Sequence, residues 1–537
     1  YDEALDRFAD FFKSPKLYPE YTDKEKNAVN AEWSMRREMD FFGQFKLARQ
    51  MMGSHPANRF LIGNLETLGD KEGSNLHKET VAFYNKYYSS NTMKVAMISN
   101  RALAEMEAKA KQYFADIENK KIEKPTVTDK LDFDKAGGKR VYYSPNEDVK
   151  QLQLEFTITD NSSQFAVKPN RFVSYLLSNE MQGSPAQILR DKGWVSRLSA
   201  SDAPTQYGNY GSLTVNIELT DAGMQNREEI VAMVMQYIAL IKEQGVDSKY
   251  FNEIRTSLNN SFQFLEKGDE FGYVSNLTDS MQKFPVNNAI NAPYYYAKFD
   301  ADAVQNVLSQ LNEDTLRIWY ISKQEETDSQ LHFYDGKYRI EDISEAEVAS
   351  WSKPSEYALA LPTVNRLLPE SFAIKTAEFK QQAHPELVFD KQGVKVWRQA
   401  SQQFAEQPKG LVEVYINTPD ALVNVKSQVL YSIWADLYNL QQSKLSTEAA
   451  VAGMSLGLQP SNGLVLSLSG FTDKQDVLLA QALENLTLDV SEEGFAQAID
   501  RFKRDLLNQQ KQFPFYQAFG EYSKLTRSGK FDTETLI

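Results

Sequence analysis

Apolar positions along this chain recur with two periods, one helical and one strand-like. In YDEALDRFADFF, Leu5, Phe8 and Phe12 fall on one side at helical spacing, which predicts an amphipathic helix over the first residues. The stretch HKETVAFYNKYYSSNTMKVAMISN (77–100) matches DADAVQNVLSQLNEDTLRIWYISK (300–323) without a gap. Each copy predicts a helix, with Val81, Tyr84, Tyr88 or Val304, Val307, Leu311 on its apolar face. Thr92 or Thr315 then opens an apolar strand that closes at Ser99 or Ser322.

A looser pattern of helix, short loop and second helix occurs three times, at 1–33, 228–258 and 476–507. Alternating strand patterns at 149–160, 211–220, 410–419 and 462–471 complete the second and third units. Strands beside helical pairs predict an α+β fold of tandem related domains, each a mainly antiparallel sheet covered on one face by helices. The expected division is 1–125 as the later part of a first domain, 126–351 as a second, 352–381 as a connection and 382–537 as a third. The connection is read from Pro354, Pro362 and Pro369 in a segment with no clear period. FDTETLI at the end resembles FDADAVQ at 299–305, where a helix begins, and the first unit has no opening strands. Both ends are therefore read as truncations.

Composition narrows the function classes. A chain of 537 residues exceeds one hydrophobic core, and 42% hydrophobic with 25% charged residues is an ordinary globular balance. No apolar run is long enough for a membrane-spanning helix. The formal net charge of −14 argues against nucleic acid as a partner, because that affinity comes from Lys and Arg neutralising phosphates. With no cysteine, disulfides, thiolate metal sites and a Cys nucleophile are excluded, so any metal would be held by His and carboxylates.

The chemistry-bearing signals are few. In TDKEKNAVNAEW, Glu25 and Glu32 stand two helical turns apart and share a face if the segment is helical. Thr22 with Glu25 also reads as a capping box, in which Glu25 only satisfies a helix-end donor. The second copy of this unit has Lys249 and Thr256 at the equivalent positions, so packing alone does not demand acids there. GMSLG (453–457) matches the nucleophile-elbow pattern, but a strand pattern follows where a helix is needed, and all four histidines precede Ser455. Gly453 and Gly457 are read instead as hairpin residues. The histidines form neither H-E-x-x-H nor H-x-x-E-H, His77-Lys78-Glu79 reads as a solvated helix start, and YYYAKF (294–299) reads as packing, since no basic cluster accompanies it.

The pieces ALDRFADFF, NAVNAE, HPANRFLIGNLETL, FYNKYYSSNTMKV, GSPAQILRDKGW and RIWYISK, in this order, resemble the pitrilysin and insulin-degrading enzyme family of zinc metallopeptidases, pitrilysin-type bacterial members above all. The resemblance covers essentially the whole chain. It implies an inverted H-x-x-E-H zinc motif upstream of Tyr1, with the glutamate that ends N-A-V-x-x-E, here Glu32, as third ligand to one Zn2+ and Glu25 in a supporting role. It implies an endopeptidase that degrades peptides inside a chamber of four homologous domains, in a periplasmic or alternatively cytoplasmic setting, as a monomer or weak homodimer. Phe42 and Phe45 would line the pocket beside zinc. An exosite on the second domain would bind a peptide N-terminus as an added strand at Tyr175, Ser178, Glu180, Leu198, Ala200 and Asp202, with Glu180 meeting the ammonium. Without H-x-x-E-H the 537 residues hold one of three ligands and no general base, so this piece alone is expected to be metal-free at that site and inactive. A non-catalytic peptide-binding or structural relative is the competing reading, and Glu32 within NAVNAE favours the peptidase.

Overall fold

The computed structural model describes residues 1–59, 61–375, 384–418, 421, 423–487, 489–527 and 529–537. Positions 376–381 of the expected connection and position 419 of an expected strand lie outside the described residues. The chain divides into two compact units, one of 1–174, 200–216 and 266–350, the other of 175–199, 217–265 and 351–537.

In the first unit, helices α1 (Asp2–Lys13) and α2 (Pro19–Arg36) form the first helical pair. α2 begins earlier than the capping-box reading placed it. Pro19 occupies the first turn, where its fixed φ suits a helix and its missing N–H leaves nothing unpaired, and Thr22 lies inside the helix. Glu25 is accordingly an exposed mid-helix residue and not a cap. α3 (Asp40–Gln50) follows, then α4 (Leu76–Tyr87), whose first turn is capped by the Asn75 side chain accepting from the Lys78 N–H. The strand expected at 92–99 does not form; Val95 and Ile98 are 44% and 42% exposed. A strand needs a neighbour to take its N–H and C=O groups, and no described strand lies alongside this run.

The second copy of the same pattern has those neighbours. Strands β1 (Lys139–Ser144), β2 (Lys150–Thr159), β3 (Val195–Ala203), β4 (Tyr210–Leu219), β5 (Leu316–Ser322), β6 (Ser329–Gln330) and β7 (Lys337–Asp342) make a sheet of order β3-β4-β2-β5-β1-β7-β6. β5 pairs parallel with β1, Val141 opposite Trp319, and antiparallel with β2, Leu154 opposite Ile318. All its residues are buried, as a central strand covered on both faces requires. That includes Arg317, which is 1% exposed. Its guanidinium pairs with Glu155 at 2.8 Å and donates to the Ala48 carbonyl at 2.8 Å, while the Trp319 indole donates to the second Glu155 oxygen at 3.0 Å. Leu47 and Ala48 of α3, with Met51 just after it, pack on Val141, Tyr143, Trp319 and Ile321. Gly43 lets α3 approach closely, since a Cβ there would come within 2.1 Å of the Tyr143 hydroxyl oxygen.

In the second unit, β8 (Glu386–Lys391) and β9 (Val394–Arg398) form a separate hairpin, and β10 (Lys409–Asn417), β11 (Met454–Ser461) and β12 (Gly463–Phe471) an antiparallel sheet of order β10-β12-β11. Leu458, Leu464, Leu466 and Leu468 build its core with Tyr438, Leu445 and Leu478 of the covering helices. The GMSLG stretch joins helix Ser443–Val451 to β11, so the helix precedes and the strand follows, the reverse of a nucleophile elbow. Its glycines do not turn the hairpin either. Gly453, at φ +74°, links the helix to the strand, Gly457 lies within β11, and the turn between β11 and β12 runs through Asn462 and Gly463 at φ +128°.

Residues 352–375 contain no helix or strand, yet they are fixed along their length. The Ala360 N–H donates to the Gly183 carbonyl, the Tyr250 hydroxyl to the Pro362 carbonyl, and the Glu370 N–H to Asp473. Asn365, 4% exposed, gives its N–H to Glu253 at 2.9 Å and its side-chain amide to the Glu448 carbonyl at 2.7 Å. Leu367 enters the core of the three-stranded sheet. The segment is a strap whose irregular backbone is paid in hydrogen bonds to its neighbours.

Two measurements probe these layers. Arg317→Met leaves the Glu155 carboxylate buried without its partner, and should cost about 3–5 kcal/mol of unfolding free energy in urea titrations; a loss under about 1 kcal/mol would mean the pair is peripheral to the sheet. Burial lifts the Glu448 carboxyl above its usual range, with Lys444 and Arg366 opposing and the Glu253 charge adding. A raised carboxyl favours the fold at low pH and loses that contribution as pH rises through the raised value. Glu448→Gln should therefore melt higher than the parent protein at pH 8, and the gap should close toward pH 5; a gap independent of pH would contradict the assignment.

Candidate functional site

α2 is anchored through one face and offers another. The Trp33 indole donates to the Phe333 carbonyl at 2.9 Å, Arg37 pairs with Asp335 at 3.3 Å, and the Asn30 side chain accepts from the Leu65 N–H at 3.1 Å. Positions 25, 29, 32 and 36 repeat along a different stripe, and Glu25 and Glu32 are both exposed on it. The Glu32 side chain retains 57% of its accessible surface and accepts from Arg36 at 2.9 Å. Exposure and a single screened partner leave this carboxylate able to turn toward a stronger cation.

Arg36 also links the two helices, since its guanidinium lies 5.8 Å from the ring centre of Phe42 on α3. Glu32, Arg36 and Phe42 thus form a continuous row. The acid and base spaced by four residues are the sequence signal for Arg36. Phe42 packs toward the α3–sheet core, whereas Phe45 stacks on Phe41 with ring centres 5.9 Å apart and planes 9° apart. The structure therefore places Phe42 beside the Glu32 stripe, and Phe45 on the outer stripe of α3.

The residues singled out for strand addition divide between the units. In the first, Ala200 and Asp202 lie on β3, and Asp202 accepts the Ser174 hydroxyl at 2.6 Å. In the second, Leu198 is buried at 2% exposure and Ser178 is half-buried. Leu198, Ala200 and Asp202 alternate and so share one face of β3, the terminal strand of its sheet. Tyr175 donates its hydroxyl to Glu253, and burial followed by the Glu253 charge pushes that hydroxyl's pKa up. Glu180 is 6% exposed; its carboxylate pairs with Arg190 and accepts the Ser443 hydroxyl at 2.6 Å. Its charge is therefore matched by Arg190 inside the unit.

Tyr175, Asn179, Glu180, Asn365, Thr447 and Glu448 are among the residues that line a cavity of about 10 Å³. That volume is about one water's worth. Glu253, Arg190 and Asn365, which organise this region, are too far apart in the sequence for any spacing rule to have grouped them. Among the described residues, no group of three or more His, Cys, Asp or Glu side chains could hold a metal ion.

Comparison with known proteins places this geometry in a family. A family model described as the peptidase M16 inactive domain matches residues 77–258, and one described as the middle or third domain of peptidase M16 matches 262–537. Protease 3 of Salmonella typhimurium is 34% identical over 498 residues, covering 92% of this chain and 52% of its own length. The insulin-degrading enzyme of Drosophila melanogaster is 28% identical over 525 residues, covering 96% of this chain and 53% of its own. The chain thus spans about half the length of the curated relatives it matches. The crystal structure of pitrilysin superposes on all of this chain and 57% of its own with a TM-score of 0.77 at 32% identity. With one family model matching more than half of its residues, the chain belongs to the peptidase M16 family.

Proposed function

We propose that this chain is part of a zinc-dependent endopeptidase that degrades peptides, with Glu32 as one of its metal ligands. The observation that carries the reading is the place of N-A-V-x-x-E in a peptidase-family chain: Glu32 stands on an exposed helical stripe, held by one surface ion pair to Arg36. The residues present do not by themselves fit a zinc ion, because among the described residues Glu32 belongs to no group of three or more His, Cys, Asp or Glu side chains able to hold a metal. A single carboxylate leaves most of a zinc coordination sphere unfilled. The reading therefore gives Glu32 one place in a ligand set completed by an H-x-x-E-H motif in a longer protein, and treats the 537 residues alone as inactive. Glu25, on the same stripe, supports the arrangement of the site, and Phe42 borders it through Arg36. A periplasmic setting and peptide substrates belong to the same proposal.

Peptide capture is assigned to the edge of β3, the terminal strand of its sheet. Main-chain pairing at such an edge is tolerant of sequence, which suits an enzyme of broad specificity. The side-chain part of the reading changes with the surroundings of Glu180. Its carboxylate is occupied by Arg190 and Ser443, so the backbone of β3, and not an acidic anchor, carries the affinity.

In the longer protein, Glu32→Gln should abolish zinc retention and activity together, because a neutral amide is a poor ligand. Metal analysis that finds parental zinc content in this variant would refute the ligand assignment. Glu25→Gln should lower activity by about 10- to 100-fold with zinc retained, as changes beside a ligand do. For the 537-residue chain, calorimetry with one extended peptide should give weak, salt-insensitive binding without cleavage when zinc is added. Acetylating the peptide N-terminus should alter affinity less than about twofold; a loss of the size of a charge-assisted hydrogen bond would restore Glu180 as the anchor.

A further inference from the structure

Several partly buried cations in the first unit are matched by acids, Arg140 with Glu347, Arg317 with Glu155, Arg37 with Asp335 and Arg36 with Glu32, while Lys120 and Lys168 give their ammonium groups to the Asn85 and Ala292 carbonyls. Lys46 and Arg49 on α3 depart from this. Both are half-buried, they lie one helical turn apart, and among the described residues no carboxylate pairs with either. The Arg49 Nε is buried with no hydrogen-bond partner. Burial draws the pKa of each down; for Lys46 the charge of Arg49 adds to the effect, and for Arg49 the Tyr207 phenol opposes it, with no carboxylate contributing to either. Two like charges held together in partial desolvation cost stability, and a chain of net charge −14 has acids in plenty to relieve it.

The same helix carries the aromatic part of the feature. Phe41, Phe45 and Arg49 are spaced by four and so line one stripe. Phe41 is 67% exposed and stacks on Phe45, and the Arg49 guanidinium lies 4.2 Å from the Phe45 ring centre. Leu47 and Ala48 face the other way, into the sheet, and Gly43 lies against Tyr143. An arginine stacked on an aromatic ring keeps its in-plane N–H groups free for a carboxylate, and the stacking fixes their direction.

We propose that Phe41, Phe45, Lys46 and Arg49 form a specificity subsite that receives a large apolar side chain of a peptide on the aromatic rings and a neighbouring peptide carboxylate on the two cations. The carboxylate is that of an Asp or Glu side chain or of a free C-terminus. The subsite rests on the peptidase reading above and deepens it, because it selects among peptides where strand addition does not.

The test uses the full 537-residue chain and three N-acetylated peptides of one length: one with an internal Phe-Glu and an amidated C-terminus, its Phe-Gln counterpart, and the Phe-Gln peptide with a free C-terminal carboxylate. Fluorescence anisotropy should show the Phe-Glu peptide binding about tenfold more tightly than amidated Phe-Gln, with the advantage falling as salt rises. The third peptide reports whether a terminal carboxylate serves as well. Arg49→Met should erase the advantage of Phe-Glu over amidated Phe-Gln, with an unchanged far-UV circular dichroism spectrum and melting temperature showing that the fold is kept; Arg49→Lys should restore part of it, having charge without the planar fork. Equal affinities for all three peptides would overturn the subsite and leave the peptidase reading standing. An advantage that survives Arg49→Met would mean that the guanidinium only covers Phe45. No binding of any peptide would overturn both.

Discussion

Arg317 keeps a full positive charge inside the layer between sheet and helix, and the first unit is organised around its compensation. Glu155 on the adjacent strand supplies the counter-charge, Trp319 and Tyr207 donate to the same carboxylate, and the Ala48 carbonyl of α3 takes the remaining guanidinium arm. A buried ion pair gains little net stability over apolar packing, but it tolerates almost no displacement of its members. α3 is therefore fixed in translation and rotation against β5, and Gly43 fixes its distance.

That fixation reaches the candidate site through two residues. With the Leu47 face of α3 committed to the sheet, Phe42 is carried to the Arg36 side and Phe45 to the outer stripe. α2 is positioned by the Trp33 and Arg37 contacts to the loop at 333–335. The exposed carboxylates of α2 and the aromatic residues of α3 are thus linked through Arg36, while Trp33 and Phe42 pack on the same core. A rigid scaffold that presents exposed, weakly committed side chains is what a ligand-receiving surface requires.

The second unit solves a different problem with the same means. Its strap has no regular hydrogen-bond ladder, so each buried polar group needs an individual partner. Asn365 illustrates the economy of the solution, since one residue satisfies a carboxylate on the helix Ser248–Gln263 and a carbonyl on the helix Ser443–Val451. Tyr175 and Asn365 share Glu253 between them. Glu180, read from the sequence as open to a ligand, is drawn into a comparable network by Arg190 and Ser443.

What the sequence determined by itself was periodic or local. The helical pairs at 1–36, 227–263 and 475–509, and strands β2, β4, β10 and β12, follow from apolar spacing, because period alone decides which face can be buried. The family resemblance likewise lay in short ordered pieces of the chain. Pairing over distance was decided only by the tertiary structure. The runs at 93–99 and 316–322 are alike in pattern, yet only the second becomes a strand, because β1 and β2 lie on either side of it. Thr22 failed as a cap because Pro19 had already begun the helix. The surroundings of Glu180 and the binding of the strap at Asn365 depend on groups far away in the chain. Electrostatic and hydrogen-bond partners are set by proximity in space, and no spacing rule along a sequence carries that information.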